Sequence, residues 1–373
     1  MKMKQEKLMI LFVLGLLSVP LFNHIIMPVK SFSELENRVL SQEIRWNRDL
    51  LKSGVLAERV ESYAQDQFPF REALINLKSD VEVLLGKGVN NGVYKGDDGY
   101  LFRKPGVYEE EILEENNQAI MTLSAYLKEK LTIIIAPSSS MVLHEKLPDF
   151  VTSDQENKYY EFILSELKTS QVIPVIEKLQ KHDDEEIYFK TDHHWTQYGA
   201  YLAYEELMNS FSMKPVDNIN FNVHKINDFQ GTLYSRFRGS FIKGEDFVLY
   251  ESENEEYSVE YIAEERKEDK IIFKENLEKY DKYKVYLDGN YPLIRIRNPH
   301  AEHEEKVLVI KDSFANAMVP YLAESFTEVH YMDLRYNNTS LKEYMEKEGF
   351  TKVILLYGMD TIGEDPNLKK LAY

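Results

Sequence analysis

Two short stretches hold residue types that would make a nucleophile if they met. The first is Asp192-His193-His194-Trp195, which follows the apolar Tyr188 and Phe189. Read as the end of a strand over Glu186 to Lys190, it alternates faces, so Asp192 and His194 point one way and His193 the other. A carboxylate accepting from one imidazole nitrogen fixes the tautomer and leaves the other nitrogen as a base. The second is Val307 to Ile310 running into Lys311-Asp312-Ser313-Phe314. A serine at that strand-to-helix joint exposes its hydroxyl, and the N–H groups of the helix start can hold an oxyanion. Each stretch also has an ordinary explanation, a satisfied polar pair in a core or a helix N-cap. Both fall at carboxyl ends of predicted strands of one sheet, where one cleft can collect Asp192, His194 and Ser313.

Other candidates carry less. Ser138, Ser139 and Ser140 follow a strand, but three serines after Pro137 read as a loop, with an oxyanion or substrate contact among them. His300-Ala301-Glu302-His303-Glu304 holds metal-capable residues in a charged loop that needs no metal. Asp192, His193 and His194 as metal ligands are disfavoured because His193 should point away. No metal and no cofactor is expected.

The elements that must position these residues form an alternating pattern. Ala119, Leu123, Tyr126 and Leu127 make a helix face, and Leu131 to Ala136 is a continuous apolar run of the kind found in a parallel sheet covered on both sides. Helix is expected again over Asn157 to Leu167, strand over Val172 to Val175, and helix after Thr196, which can cap it. The rhythm breaks between about Lys243 and Lys284, where Phe247 to Tyr250 and Tyr257 to Ile262 alternate like antiparallel strands of an exposed insertion, a candidate lid. It resumes with strands at Val307 to Ile310, Glu328 to Met332 and Lys352 to Tyr357, and helices over Phe314 to Ser325 and Leu341 to Glu348. The expected fold is therefore α/β, with a central, mostly parallel sheet and a β-rich insertion at about 243–284 in a domain spanning 116–373. Residues 31–115 lead into it as linker, helices broken at Phe68-Pro69-Phe70-Arg71, and a hairpin over Gly92 to Phe102 around an Asp-Gly turn.

Composition narrows the function. The chain has 373 residues, 43% hydrophobic and 29% charged, which suits a globular protein with a large core. A formal net charge of −18 excludes a basic face for nucleic acid. With no cysteine there are no disulfides, thiolate metal sites or cysteine nucleophiles. Tyrosine is frequent at 25, as strand residues and half-buried surfaces explain. Lys2, Lys4 and Lys7 precede an apolar run from Leu8 to Phe22, with no small-residue cleavage site. Residues 1–30 are read as an uncleaved signal anchor in preference to a cleaved signal peptide, and either one leaves the rest of the chain outside the cytoplasmic membrane, anchored or secreted.

Together, Asp192-His193-His194-Trp195, Phe32-Ser33 through Arg38, Phe68-Pro69-Phe70-Arg71, the Gly96 to Phe102 hairpin, Gly289-Asn290 and Lys311-Asp312-Ser313-Phe314 resemble the DHHW family of bacterial cell-envelope proteins, from about Phe32 to Tyr357. That family is similar to the SGNH-hydrolase-like alginate O-acetylation proteins. The resemblance implies an SGNH-hydrolase-like sandwich with Asp192 as orienter, His194 as base and Ser313 as nucleophile. It implies O-acyl transfer, most readily of acetyl, to a cell-envelope or secreted polysaccharide, with a membrane-bound O-acyltransferase partner handing the acyl group outward. The family's usual Gly before Asp-Ser is Lys311 here, and Gly289-Asn290 or Asn316 are the candidates for the oxyanion hole. Rival readings are a carbohydrate esterase, a non-catalytic polysaccharide-binding or export scaffold, and a metal-dependent hydrolase.

Overall fold

The structure, a computed structural model, describes residues 28–33, 36, 38–42, 54–106, 108–167, 171–253 and 256–372, with isolated positions 7, 9, 10, 14, 15 and 18 before them. Most of the apolar run from Leu8 to Phe22 that suggests an anchor lies outside the described residues, as do Glu34, Leu35 and Asn37 of the Phe32 to Arg38 stretch. Among the described residues no helix is long and apolar enough to cross a membrane.

The chain divides into two compact units, one of residues 1–90 with 238–242 and one of residues 91–237 with 243–373. In the first, helices α1 (Val55–Asp66) and α2 (Arg71–Leu84) are separated at Phe68-Pro69-Phe70, where Phe70 takes the left-handed conformation. The expected break at the proline is there, and a charge cluster ties it down. Glu36 accepts from Arg71 at 2.8 Å, and Asp66 accepts from the guanidinium of Arg38.

The second unit is a three-layer α/β sandwich. It opens with a hairpin of β1 (Val93–Lys95) and β2 (Leu101–Arg103), joined through a turn in which Asp98 and Gly99 both have positive φ. Helix α3 (Glu110–Leu127) leads to β3 (Leu131–Ala136), and a short helix α4 (Ser139–Val142) follows. Helices α5 (Asp154–Glu166), α6 (Val175–Gln180) and α7 (Gln197–Ser210) come next. Strand β4 (Asn222–Phe229), helix α8 (Thr232–Phe237) and strand β5 (Glu245–Glu251) follow, β4 pairing antiparallel with β5. The remaining strands are β6 (Ser258–Tyr261), β7 (Arg266–Glu268), β8 (Leu293–Arg297), β9 (His303–Lys311), β10 (Phe326–Met332) and β11 (Lys352–Gly358). Helix α9 (Val319–Ser325) precedes β10, α10 (Leu341–Glu348) precedes β11, and α11 (Met359–Glu364) follows it.

Seven of these strands form one sheet in the order β7-β6-β8-β10-β9-β11-β3. The half formed by β10, β9, β11 and β3 is parallel, and β8, β6 and β7 extend it in antiparallel fashion, so the sheet is mixed. Because strand side chains alternate faces, Val307, Val309, Ile354 and Leu356 enter one core while Leu308, Ile310, Val353 and Leu355 enter another. Helices α6, α7 and α9 cover the first face, and α3, α5, α10 and α11 cover the second. Fully burying an aliphatic side chain of this kind contributes roughly 1.5–3 kcal/mol, which is why near-continuous apolar strands mark the sheet's centre.

Three expectations need correction. Val172 to Val175 is no strand: Val172 makes a single bridge to Ile133, and helix α6 begins at Val175. Glu186 to Lys190 is not in the sheet either. It is an extended segment with one bridge, Tyr188 to Trp195, that closes the Asp192 loop on itself. Its apolar residues satisfy the core without joining the ladder. The segment after Lys243 is not an exposed lid, because β6 lies inside the main sheet between β7 and β8, and Phe247, Leu249 and Val259 are fully buried.

Candidate active site

Ser313 stands at the carboxyl end of β9, on the first residue of a 3₁₀ turn that runs to Met318 before α9 begins. Asp312 caps that turn, its Oδ1 accepting from the Phe314 N–H at 2.9 Å. Its Oδ2 accepts from the Gly358 N–H at 2.8 Å and from Thr361 at 2.5 Å. The Phe314 N–H is thus spent on the cap, and Ser313 supplies the first N–H of the turn. The helix expected over Phe314 to Ser325 is therefore a 3₁₀ turn followed by a short α-helix.

His194 arrives from outside the sheet. Helix α7 is capped by Thr196, which accepts from the Gly199 N–H at 3.1 Å. A Cβ on Gly199 would lie 2.2 Å from the Ile187 carbonyl oxygen, so glycine lets the helix start press on the segment before Asp192. Trp195, fully buried, donates from Nε1 to the Phe314 carbonyl at 2.9 Å.

Within the loop, His194 Nδ1 lies 2.7 Å from Asp192 Oδ1, and His194 Nε2 lies 2.8 Å from Ser313 Oγ. His194 and Ser313 lie 119 residues apart in sequence, and the fold joins them and Asp192 into one chain of hydrogen bonds. An ionised Asp192 accepts the Nδ1 proton, which leaves His194 Nε2 as acceptor for the Ser313 hydroxyl. Asp192 and His194 are almost fully buried, whereas Ser313 is half-buried.

Several residues that local sequence patterns do not reveal hold this arrangement. Helix α8 docks its start on the loop: the Thr232 N–H and Oγ1 donate to Asp192 Oδ2 at 2.7 and 2.9 Å, and the Leu233 and Tyr234 N–H groups donate to the Thr191 carbonyl. A Cβ on Gly231 would sit 2.3 Å from the Asp192 Cβ, so only glycine admits that approach. Glu245 on β5 accepts from the N–H groups of Lys190 and Thr191, each at 2.7 Å, and from Thr191 Oγ1 at 2.6 Å. Burial pushes its carboxyl up to about 7 against the pull of those donors. Tyr283 stacks on the His194 ring with centroids 4.0 Å apart and planes 7° apart.

Burial opposes ionisation of Asp192. The nearby imidazoles of His193 and His194 and the hydrogen bonds outweigh it and hold the carboxyl well below the usual carboxylate range. Lys311, fully buried, donates to Asn290 Oδ1 at 2.9 Å and to Asn316 Oδ1 at 2.5 Å, while Asn316 Nδ2 donates to Asn290 Oδ1 at 3.1 Å. Burial pulls the Lys311 amine down to about 8.

The alternate-face argument for His193 fails. Residues 190–194 bend, and the His193 ring lies beside His194 with centroids 3.8 Å apart. Asp192, His193 and His194 can each bring a ligand atom within 4.8 Å of the others, so the geometric objection to a metal there is removed. Those atoms are engaged in the hydrogen bonds just given and in one from His193 Nδ1 to Thr232 at 2.8 Å. The Ser138 to Ser140 stretch is helix α4 rather than loop, with Ser140 donating to Glu156 at 2.7 Å. His300 faces Glu256 at 2.7 Å, and His303 lies on β9.

The family model for the DHHW protein matches residues 92–332, more than half of the chain. A probable alginate O-acetylase, AlgJ, of Pseudomonas putida is 25% identical over 178 residues, 45% of this chain and 46% of that protein. The chain thus matches about half the length of that curated relative. Among solved structures, a DHHW family protein from Eubacterium siraeum is similar with a TM-score of 0.63 at 19% identity, covering 76% of this chain and 95% of that one. Bacillus cereus PatB1 is similar with a TM-score of 0.62 at 26% identity, covering 73% of this chain and 97% of that one. With the Asp192-His193-His194-Trp195 stretch inside the matched region and a shared fold, the chain belongs to the DHHW protein family.

Proposed function

We propose that the protein transfers an O-acyl group, in the first place acetyl, to a hydroxyl of a cell-envelope or secreted polysaccharide by a Ser-His-Asp mechanism. The observation that carries this reading is the unbroken 2.7 and 2.8 Å chain from Asp192 through His194 to Ser313. The likeness to proteins named as probable alginate O-acetylases supports the acetyl group and the polysaccharide.

In the first half-reaction Ser313 Oγ attacks the acyl carbonyl while His194 Nε2 takes its proton, and the imidazolium is stabilised by Asp192. The Ser313 N–H is one candidate donor for the oxyanion. Asn290 Nδ2 is the other, with its amide oxygen already held by Lys311 and Asn316. The leaving group departs with the proton from His194. In the second half-reaction a sugar hydroxyl gives its proton to His194 and takes the acyl group; water in its place would make the protein an esterase.

The basic Lys2, Lys4 and Lys7 before the apolar run from Leu8 support an N-terminal membrane anchor and an extracytoplasmic location. Outside the membrane the acyl group would come from a membrane-bound O-acyltransferase. A scaffold reading keeps the fold without the chemistry, and a metal-dependent hydrolase would use the Asp192, His193 and His194 cluster.

The test is the intact mass of full-length protein in detergent after incubation with a chromogenic acetyl ester, beside Ser313→Ala. An acetyl adduct in the wild type and none in the variant supports the serine mechanism. Turnover abolished by a chelator and restored by zinc supports the metal reading, and wild type without adduct or turnover supports the scaffold.

A further inference from the structure

His193 lies in the loop of the proposed base, yet the mechanism above leaves it idle. Its proton can nevertheless be placed. Thr232 has one hydroxyl proton and donates it to Asp192 Oδ2 at 2.9 Å. The 2.8 Å contact between Thr232 Oγ1 and His193 Nδ1 then requires Nδ1 to be the donor. A neutral His193 therefore carries its proton on Nδ1 and presents Nε2 as a lone-pair acceptor. Burial, reinforced by the neighbouring His194, pulls its pKa down to about 4, so the ring is neutral at ordinary pH.

Among the described residues no side chain bonds to His193 Nε2, and His193 lines a recess with Arg103, Ser138, Ser140, Glu156 and Asp360. The recess measures about 10 Å³, room for one water-sized group. Its wall is already internally bonded. Tyr108 donates to Glu156 at 2.9 Å and lies 3.2 Å from Asp360, Ser140 donates to Glu156 at 2.7 Å, and Ser138 lies 2.7 Å from Ser140. Arg103 is held by Asp360 and Glu364. Ser138 and Ser140 both hydrogen-bond to Glu156, so His193 Nε2 is the acceptor that the recess offers. Lys104 also lines the recess, and a space of this size with a lone-pair acceptor on its wall suits a hydroxyl.

We propose that His193 and its recess are the acceptor subsite: Nε2 accepts the hydrogen bond of a hydroxyl adjoining the one that is acylated, so the acceptor is a polyol or sugar with neighbouring free hydroxyls. The proposal rests on the serine mechanism above and adds the acceptor's chemistry to it. In the transfer step the bond between the acyl carbon and Ser313 Oγ breaks as the bond to the acceptor oxygen forms. The acceptor proton passes to His194 Nε2 and from there to Ser313 Oγ. His193 gains and loses no proton; it holds the neighbouring hydroxyl so that the sugar rather than water stands over the acyl carbon.

Two variants of the full-length protein separate these roles. His193→Asn retains an N–H for Thr232 but has no acceptor at the Nε2 position, and His193→Phe removes both. Each is given a chromogenic acetyl ester with cellopentaose, and acyl-enzyme formation, free acetate and acetylated oligosaccharide are measured. His193→Asn should lower the ratio of transfer to hydrolysis about tenfold while slowing acyl-enzyme formation only a few-fold, the scale of a lost hydrogen bond to a substrate hydroxyl. An unchanged ratio in both variants with the acyl-enzyme still forming overturns the inference and leaves the serine mechanism standing. So does a wild type that forms acyl-enzyme but does not acetylate cellopentaose. A wild type that forms no acyl-enzyme removes the mechanism and the inference together.

Discussion

The indole of Trp195 donates its N–H to the carbonyl oxygen of Phe314 at 2.9 Å, fastening the residue after His194 to the residue after Ser313. The bond lies within the core, with Trp195 fully buried. It sets the distance between two chain segments that share no strand pairing. Trp195→Phe keeps most of the apolar bulk and removes the indole donor from the Phe314 carbonyl. Such a change costs about 1–3 kcal/mol of stability. Turnover of a chromogenic ester should fall more steeply than this cost alone suggests, by about 10²-fold, because the separation of His194 and Ser313 is no longer fixed. Urea melts beside initial rates check both expectations, and full activity in a destabilised variant would show that the tether does not position the site.

Gly231 permits the closest backbone approach to Asp192. In Gly231→Ala the new Cβ would meet Asp192 Cβ at 2.3 Å and Oδ2 at 2.5 Å, and that oxygen is held by the Thr232 N–H and hydroxyl. Overpacking of this kind costs about 1–3 kcal/mol, and the carboxylate is the group forced to move. The variant should stay folded by circular dichroism while losing most of its ester turnover. Wild-type rates would mean that Asp192 has room to yield.

Asp192→Asn preserves the outline of the loop and places an amide N–H₂ or carbonyl against His194 Nδ1. With the wrong tautomer favoured, turnover should fall about 10³–10⁴-fold. The same variant reports on acid stability. A carboxyl held well below its ordinary 3.8 contributes stability that is fully present above that value and is lost as pH falls toward its folded pKa. The stability gap between wild type and variant in urea melts should therefore be constant from pH 7 to about 5 and shrink below about pH 4.

His193 acts in the same direction but in a window at higher pH. Its folded pKa is pulled from 6.5 down to about 4, so the unfolded chain binds a proton that the folded one refuses. Its contribution to stability therefore falls as pH drops from about 6.5 to 4 and is flat above that window. In proton NMR its ring resonances should titrate near pH 4, and a midpoint near 6.5 would contradict a ring kept neutral.

The legible parts of this chain were those in which one local pattern decides the structure. Leu131 to Ala136 reads as a buried parallel strand because every residue in it is apolar or β-branched, and it is one. Leu341 to Glu348 reads as a helix, with Ser340 capping it and Gly349 in the left-handed conformation ending it. Asp192, His194 and Ser313 were legible as residue types, and the fold brings them together. Periodicity could not tell an apolar segment that joins the ladder from one that only packs against it, so Tyr188 and Phe189 read as a sheet strand. It also missed the bend over residues 190–194, which the Glu245 carboxylate and the docked start of α8 impose from 30 or more residues away. Tyr283 and Thr232 carry no local signal at all, since each matters only through what folding sets beside it.

The single Ile133 to Val172 bridge, at the outer side of β3, has a bearing on self-association. A sheet's outermost strands present unpaired backbone groups that can recruit another chain. Here Val172 occupies one such position, and Pro174, which has no N–H to offer, follows two residues later. At the other border β7 is only three residues long, Arg266-Lys267-Glu268, every one of them charged. Both margins of the sheet are blunted, so the apolar strands between them are shielded from edge-to-edge aggregation at high local concentration.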